Sequence, residues 1–325
     1  MKKEKQNRRR KLLIPLFFSS LLLMTTTFAW FSANRMVSID SLNVHVQTDG
    51  GLEVSTNAID WKQVVTVSDI MSAREKYSGS VNQLPYRMNP VSSGGNVSDG
   101  KLELFVGNAT NSVDNFILVA DRSIETEGFG EESDGNFIAF DVFFRVNSSK
   151  ELYLDGSSKV EYTGNANSGI ENATRIAFIT EGSSADNPSI SQSLNNGLDV
   201  VIWEPNYDVH TEYGVFHARD VYGISTSLNG ASRLSYDGVT AVIPSNLNIP
   251  ISSANAGTYP GLFKNVGIGI ETPKNGGANQ KIADLQPSVT KMRIYMWIEG
   301  QDVDCEDNAS YGDITFDLKF TINPS

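Results

Sequence analysis

The stretch Phe137-Ile138-Ala139-Phe140-Asp141-Val142-Phe143-Phe144-Arg145-Val146 places an apolar side chain at every second position from Ile138 to Val146. Phe137, Ala139 and Phe143 line much of its other face. A period of two belongs to a strand, and a strand apolar on both faces is covered on both. Residues 102–106, 116–119, 152–154 and 175–180 are similarly apolar and read as its neighbours. Toward the C-terminus, Met292, Ile294, Met296 and Ile298 share one face, opposite Arg293, Tyr295 and Trp297. Ile314, Phe316, Leu318, Phe320 and Ile322 then alternate with polar residues. These two strands read as parts of an antiparallel sheet wet on one side.

The period of two extends toward the N-terminus. Val37 and Ile39, then Leu42, Val44 and Val46, read as one strand with a slip near Ser41. Asp49-Gly50-Gly51 is a turn signal, so residues 52–55 are expected as the return strand of a hairpin. A short helix is predicted over residues 68–76, behind a capping Ser68. Residues 78–100 are rich in turn formers and read as an irregular connection, while 225–277 is turn-rich with short strands expected between the turns, as over 239–243 and 266–270. The sum predicts a mainly β fold. It is expected to be an antiparallel β-sandwich of jelly-roll type with long loops and one or two short helices.

The first residues carry an address. Lys2, Lys3, Lys5, Arg8, Arg9, Arg10 and Lys11 precede an apolar run from Leu12 to Met24, with Thr27-x-Ala29 at its exit. A basic region, an apolar region and small residues at a cut point make a secretory signal. The run from Leu12 to Phe31 is also about long enough for a membrane anchor, at roughly twenty residues. Pro15, Ser19, Ser20 and three threonines dilute it, which favours cleavage. Residues 1–29 are thus a signal peptide or N-terminal anchor, and 30–325 a single extracellular domain with insertions.

The chain has a net charge of −12, and removing seven basic residues and one acid with the first 29 leaves −18. Such a surface repels phosphate backbones and anionic lipid, so nucleic acid is not an expected partner. Membrane contact is expected only through the N-terminal segment. The one cysteine, Cys305, cannot form an internal disulfide and reads as a small buried apolar residue.

Two segments are candidate sites. In Trp203-Glu204-Pro205-Asn206-Tyr207-Asp208-Val209-His210-Thr211-Glu212, aromatics sit among acids in an expected loop. Trp203 and Tyr207 are candidates to stack on a sugar, with Glu204 and Asp208 as polar contacts. Glu204 with Asp208 or Glu212 is the alternative carboxylate pair of a glycoside hydrolase. His210 and His217 match no zinc spacing. In Gln301-Asp302-Val303-Asp304-Cys305-Glu306-Asp307, alternating carboxylates invite a calcium ion at Asp302, Asp304 and Glu306, with Asp313 at the twelfth position. Asp307 stands where a calcium loop needs Gly, and strands replace the usual helices, so a solvated acidic turn is the competing reading. No nucleophile elbow, zinc-protease helix or phosphate-binding loop occurs, and no cofactor other than calcium is expected.

Thr25-Thr26-Thr27-Phe28-Ala29-Trp30-Phe31-Ser32, followed by a strand, resembles the export junction of the TasA and camelysin group of Gram-positive biofilm-matrix proteins. The resemblance covers about thirty residues and brings no site residues. It implies a jelly-roll domain, a dedicated signal peptidase, and fibres in which one subunit's N-terminal strand completes the next. Ile202-Trp203-Glu204-Pro205-Asn206 and Trp297-Ile298-Glu299-Gly300-Gln301-Asp302 also look like stretches of uncharacterised exported bacterial proteins. The expected function is a non-enzymatic, secreted or surface-held matrix protein. Its expected partner is itself, through residues 36–47, or, as an adhesive module, a cell-surface glycan.

Overall fold

The computed structural model describes residues 37–46, 51–80, 82–112, 115–125, 129–163, 169–222, 224–230, 234–251, 255–305 and 313–323. Residues 1–36, which include the signal peptide or anchor expected over 1–29, lie outside them. Among the described residues no helix is long and apolar enough to cross a membrane.

The fold is mainly β, and strands are numbered here in chain order. An eight-stranded sheet runs β18 (Gln280–Leu285), β11 (Lys150–Leu154), β20 (Asp313–Thr321), β1 (Val37–Val46), β4 (Leu84–Met88), β9 (Phe129–Gly135). In it β12 (Lys159–Thr163) also pairs β20, and β3 (Val64–Thr66) pairs β1. A six-stranded sheet runs β17 (Ile270–Thr272), β14 (Asp199–Pro205), β13 (Thr174–Ser184), β19 (Val289–Ile298), β10 (Phe137–Arg145), β2 (Glu53–Ser55). Three strand pairs stand apart: β5 (Val97–Ser98) with β6 (Lys101–Leu102), β7 (Leu104–Ser112) with β8 (Asn115–Ser123), and β15 (Asp237–Val239) with β16 (Phe263–Asn265). The described helices are α1 (Val67–Ser72), α2 (Pro188–Ser193) and α3 (Glu212–Tyr222). The eleven-residue α3 follows the acidic loop and was not expected from the sequence.

Alternation builds the core. Val44 and Val46 of β1, and Phe316, Leu318 and Phe320 of β20, meet Ile138, Phe140, Val142 and Phe144 of β10 and Met292, Ile294 and Met296 of β19 in one apolar cluster. Phe320 meets Phe144 and Phe178 edge-on, with ring centroids 5.2 and 5.8 Å away. The opposite face of the six-stranded sheet, with Phe137, Ala177, Tyr295 and Trp297, is covered by Val91, Leu102, Leu104, Tyr236 and Val266. The two apolar faces of β10 are thus accounted for.

Several expectations need correction. The sheets are mixed: β1 with β20, β4 with β9, and β14 with β17 are parallel. β1 and β2 lie in different sheets and make no hairpin, because β1 aligns along β20 from Ser38↔Asp313 to Val46↔Phe320. The slip near Ser41 is real, a register shift between Ile39 and Ser41. The neighbours of β10 are β19 and β2, while residues 175–180 lie one strand further out. Apolar content reports that a strand is buried, not which strand it pairs with. β19 is not wet on one side; all ten of its residues are buried. The stretch 78–100, read as irregular, contains β4, which pairs with β1.

Candidate functional site

The two sequence candidates meet at one guanidinium. β13 and β14 pair with Ile176 opposite Trp203, and β13 and β19 with Arg175 opposite Trp297. Successive side chains of a strand point to opposite faces. Ile202 and Glu204 therefore point outward while Trp203 points into the core. Arg175 lies on the outward face and is fully buried there. Its Nη2 donates to Glu204 Oε1 at 2.7 Å and to Asp302 Oδ2 at 2.5 Å. Its Nη1 donates to the carbonyls of Asn172 and Thr174, both at 2.9 Å. The Tyr236 ring lies over the guanidinium, its centroid 5.2 Å from Cζ.

The acidic turn extends this network. Asp302 Oδ1 accepts from the Asp304 amide at 2.8 Å. Asp304 Oδ2 lies 2.8 Å from His210 Nδ1, and its Oδ1 accepts from the Thr211 amide at 2.8 Å. At the entry to the turn, Glu299 Oε2 accepts from Trp297 Nε1 at 3.0 Å and from the Ser93 amide at 3.2 Å, and its Oε1 accepts from the Gln301 amide at 3.0 Å. Gly214 of α3 leaves the room this needs, since a Cβ there would lie 2.2 Å from Asp304 Oδ1.

Burial sets the electrostatics. It pushes Glu204 up to about 7, the nearby Arg175 charge opposing and Asp302 adding to the shift. It likewise pushes Glu299 up to about 7 and Asp304 up to about 6. Burial works against the Arg175 charge, yet Glu204 and Asp302 hold its pKa above the ordinary guanidinium value. Arg175 Nε, Glu204 Oε2, Tyr236 Oη and Gln301 Nε2 are buried without a hydrogen-bond partner. Asp302, Gln301 and Tyr236 also line a cleft of ≈ 340 Å³.

The remaining candidates separate. Trp203 is 0% exposed and donates from Nε1 to Thr272 Oγ1 at 2.9 Å, so the stacking face expected of it is enclosed. Tyr207 is half-buried in the turn after β14, and Asp208 Oδ1 accepts from the Lys274 amide at 2.8 Å. Glu204 takes Arg175 as its partner, and Glu212 is exposed at the start of α3. Asp313 opens β20 in register with Ser38 and Thr163, and Glu306 lies outside the described residues. Among the described residues no three His, Cys, Asp or Glu side chains converge as metal ligands. Cys305 is buried, as its apolar reading required.

The sequence reading missed Arg175, Tyr236 and Glu299. A lone Arg at the head of the apolar strand 175–180 was the available signal. It also missed a second buried network on the same sheet face. There Arg293 donates to Asp141 from Nε at 2.8 Å and Nη2 at 3.2 Å, and Tyr77 Oη donates to Asp141 Oδ2 at 2.9 Å. Lys291 Nζ lies 3.3 Å from Asp141 Oδ2 and donates to the carbonyls of Gln192 and Leu194 at 3.2 and 2.6 Å. Burial acts to raise the Asp141 pKa, but Arg293 and Lys291 hold it below the usual value. This network fastens the last turn of α2 and Leu194 after it onto β19. Comparison of the chain with family models, curated proteins and solved structures finds no match.

Proposed function

We propose that the chain is a non-enzymatic, secreted or surface-held structural protein of a bacterial envelope or matrix. Its two large sheets stack as a sandwich, and its subunits join by exchanging the N-terminal strand. The observation that carries this reading is the setting of β1. This strand lies between β20 on one side and β3 and β4 on the other, and it buries Val37, Leu42, Val44 and Val46. It is the first described strand, so it leaves its slot without threading the rest of the chain through. A copy of β1 from a neighbouring subunit would satisfy the same ladder and the same core, as in strand addition. The signal-like N-terminus supports export, and the engagement of Glu204, Asp302 and Asp304 with Arg175, His210 and Thr211 supports a structural role for the acids.

N-terminal sequencing and native light scattering of the exported protein test this reading. A start at Trp30 with large assemblies is expected. An intact Met1 in the membrane fraction, with monomers only, overturns it.

A further inference from the structure

Lys291, Asp141 and Tyr77 form a closed triangle that strand exchange does not use. Lys291 Nζ lies 3.3 Å from Asp141 Oδ2, and Tyr77 Oη bridges them, 3.0 Å from Nζ and 2.9 Å from Oδ2. All three residues are buried. Asp141 is on β10 and Lys291 on the adjacent β19, diagonal across the ladder from the facing pair Asp141 and Arg293. Diagonal neighbours on one sheet face are within reach of long side chains.

Three observations bear on what this triangle can do. The first is the aim of the nitrogen. The carbonyls of Gln192 and Leu194 only accept, so they take two N–H bonds from Nζ, at 3.2 and 2.6 Å. A neutral amine held by those two bonds turns its lone pair toward Tyr77 and Asp141. Burial pushes the Lys291 pKa down, Asp141 opposing and Arg293 adding to the shift, which favours that amine. The second is the electrophile. Arg293 donates to both oxygens of Asp141, at 2.8 and 3.2 Å, where negative charge would grow on attack at Cγ. The third is charge. Glu181 is buried beside Gly100, whose carbonyl accepts from Arg293, and its Oε1 has no hydrogen-bond partner. Joining Lys291 to Asp141 removes one buried charge of each sign and leaves Arg293 to Glu181, which lowers the cost of burying ions.

We propose that Lys291 and Asp141 condense after folding into an internal amide, Nζ to Cγ, with Tyr77 as the proton relay. Nζ attacks Cγ, and the bond from Cγ to Oδ2 breaks. Of the three ammonium protons, one passes directly to Oδ2 and one through Tyr77, which accepts it as it donates its own. Oδ2 leaves as water, Oδ1 becomes the amide oxygen on Arg293 Nε, and the last proton stays on the amide nitrogen. No oxidant or cofactor is consumed. Fixing the two groups in a buried contact is worth an effective concentration of roughly 10⁵–10⁸ M, which drives a condensation that bulk water opposes. The amide ties β10 to β19 inside the six-stranded sheet, a cross-link that the single cysteine cannot supply. It does not depend on strand exchange, so either reading can fail without the other.

Intact-mass spectrometry of the full chain, denatured after purification, tests the proposal. The parent is expected to be lighter than its sequence by one water. Trypsin should then fail to cut after Lys291 and should release residues 282–293 joined to residues 123–145. Lys291→Arg keeps the cation without the nucleophilic amine and is expected at its full sequence mass. Tyr77→Phe removes the relay, and the bonded fraction in matched preparations is expected to fall at least tenfold, within the range of general acid–base catalysis. A parent at full sequence mass would overturn the proposal, whatever the variants do. So would a water lost elsewhere, such as at an Asp-Gly pair, with 282–291 released as a free peptide, or the same loss in Lys291→Arg. An equal bonded fraction in Tyr77→Phe would overturn the relay.

Discussion

Glu204 and Glu299 make the protein's stability depend on pH in an unusual direction. Each has a folded pKa of about 7 against an ordinary value of 4.5, chiefly through burial. Between those values the unfolded chain has released its proton while the folded chain keeps it. Their contribution is therefore fully present below pH 4.5, falls as pH rises to 7, and is level above. Asp304 acts in the same direction between 3.8 and about 6. Asp141, held below 3.8, acts oppositely, but only at lower pH. Melting temperature is expected to fall from pH 5 to pH 7.5, and Glu204→Gln, which cannot ionise, to flatten part of that slope. An unchanged slope in the variant would contradict the assignment. Gly214→Ala puts a methyl group against Asp304 and is expected to cost about 1–3 kcal/mol in denaturant unfolding. A neutral result would mean that the turn moves freely.

At the scale of elements, the pairing of β10 with β19 rests on apolar alternation and on Asp141 facing Arg293 across the ladder. Asp141→Ala leaves Arg293 and Lys291 buried beside an absent partner and is expected to cost about 3–5 kcal/mol. A loss below about 1 kcal/mol in urea unfolding would show that the network is solvated. The burial of β10 on both faces was legible because its side chains state it directly. The pairing of β1 with β20 was not, since these strands are far apart in sequence and Asp49-Gly50-Gly51 advertised a local hairpin instead. β19 misled because Lys291 and Arg293 look solvent-facing until Asp141 is placed opposite them. For the site, Glu204, Asp302 and Asp304 were legible as unusual acids in short, aromatic-flanked segments. Their common partner Arg175 was not, since only the register of β13 between β14 and β19 brings it to them. The same alternation that exposes Glu204 to Arg175 turns Trp203 into the core.

For the whole molecule, the first and last described strands run side by side in the interior of the large sheet. A first described strand that completes the core is what we propose a subunit trades with a neighbour. Such a trade would conserve the contacts of β1 and add only the ordering of two chains, so concentration would set its balance. The most direct measurement locks β1 in place. Asn43 faces Asp317 in the β1–β20 ladder. Asn43→Cys with Asp317→Cys, in a Cys305→Ala background, should form a disulfide that ties the strand to its own subunit. Native light scattering of the processed protein should then show monomers when oxidised and large assemblies after reduction. Assemblies of equal size with the disulfide intact would contradict strand exchange.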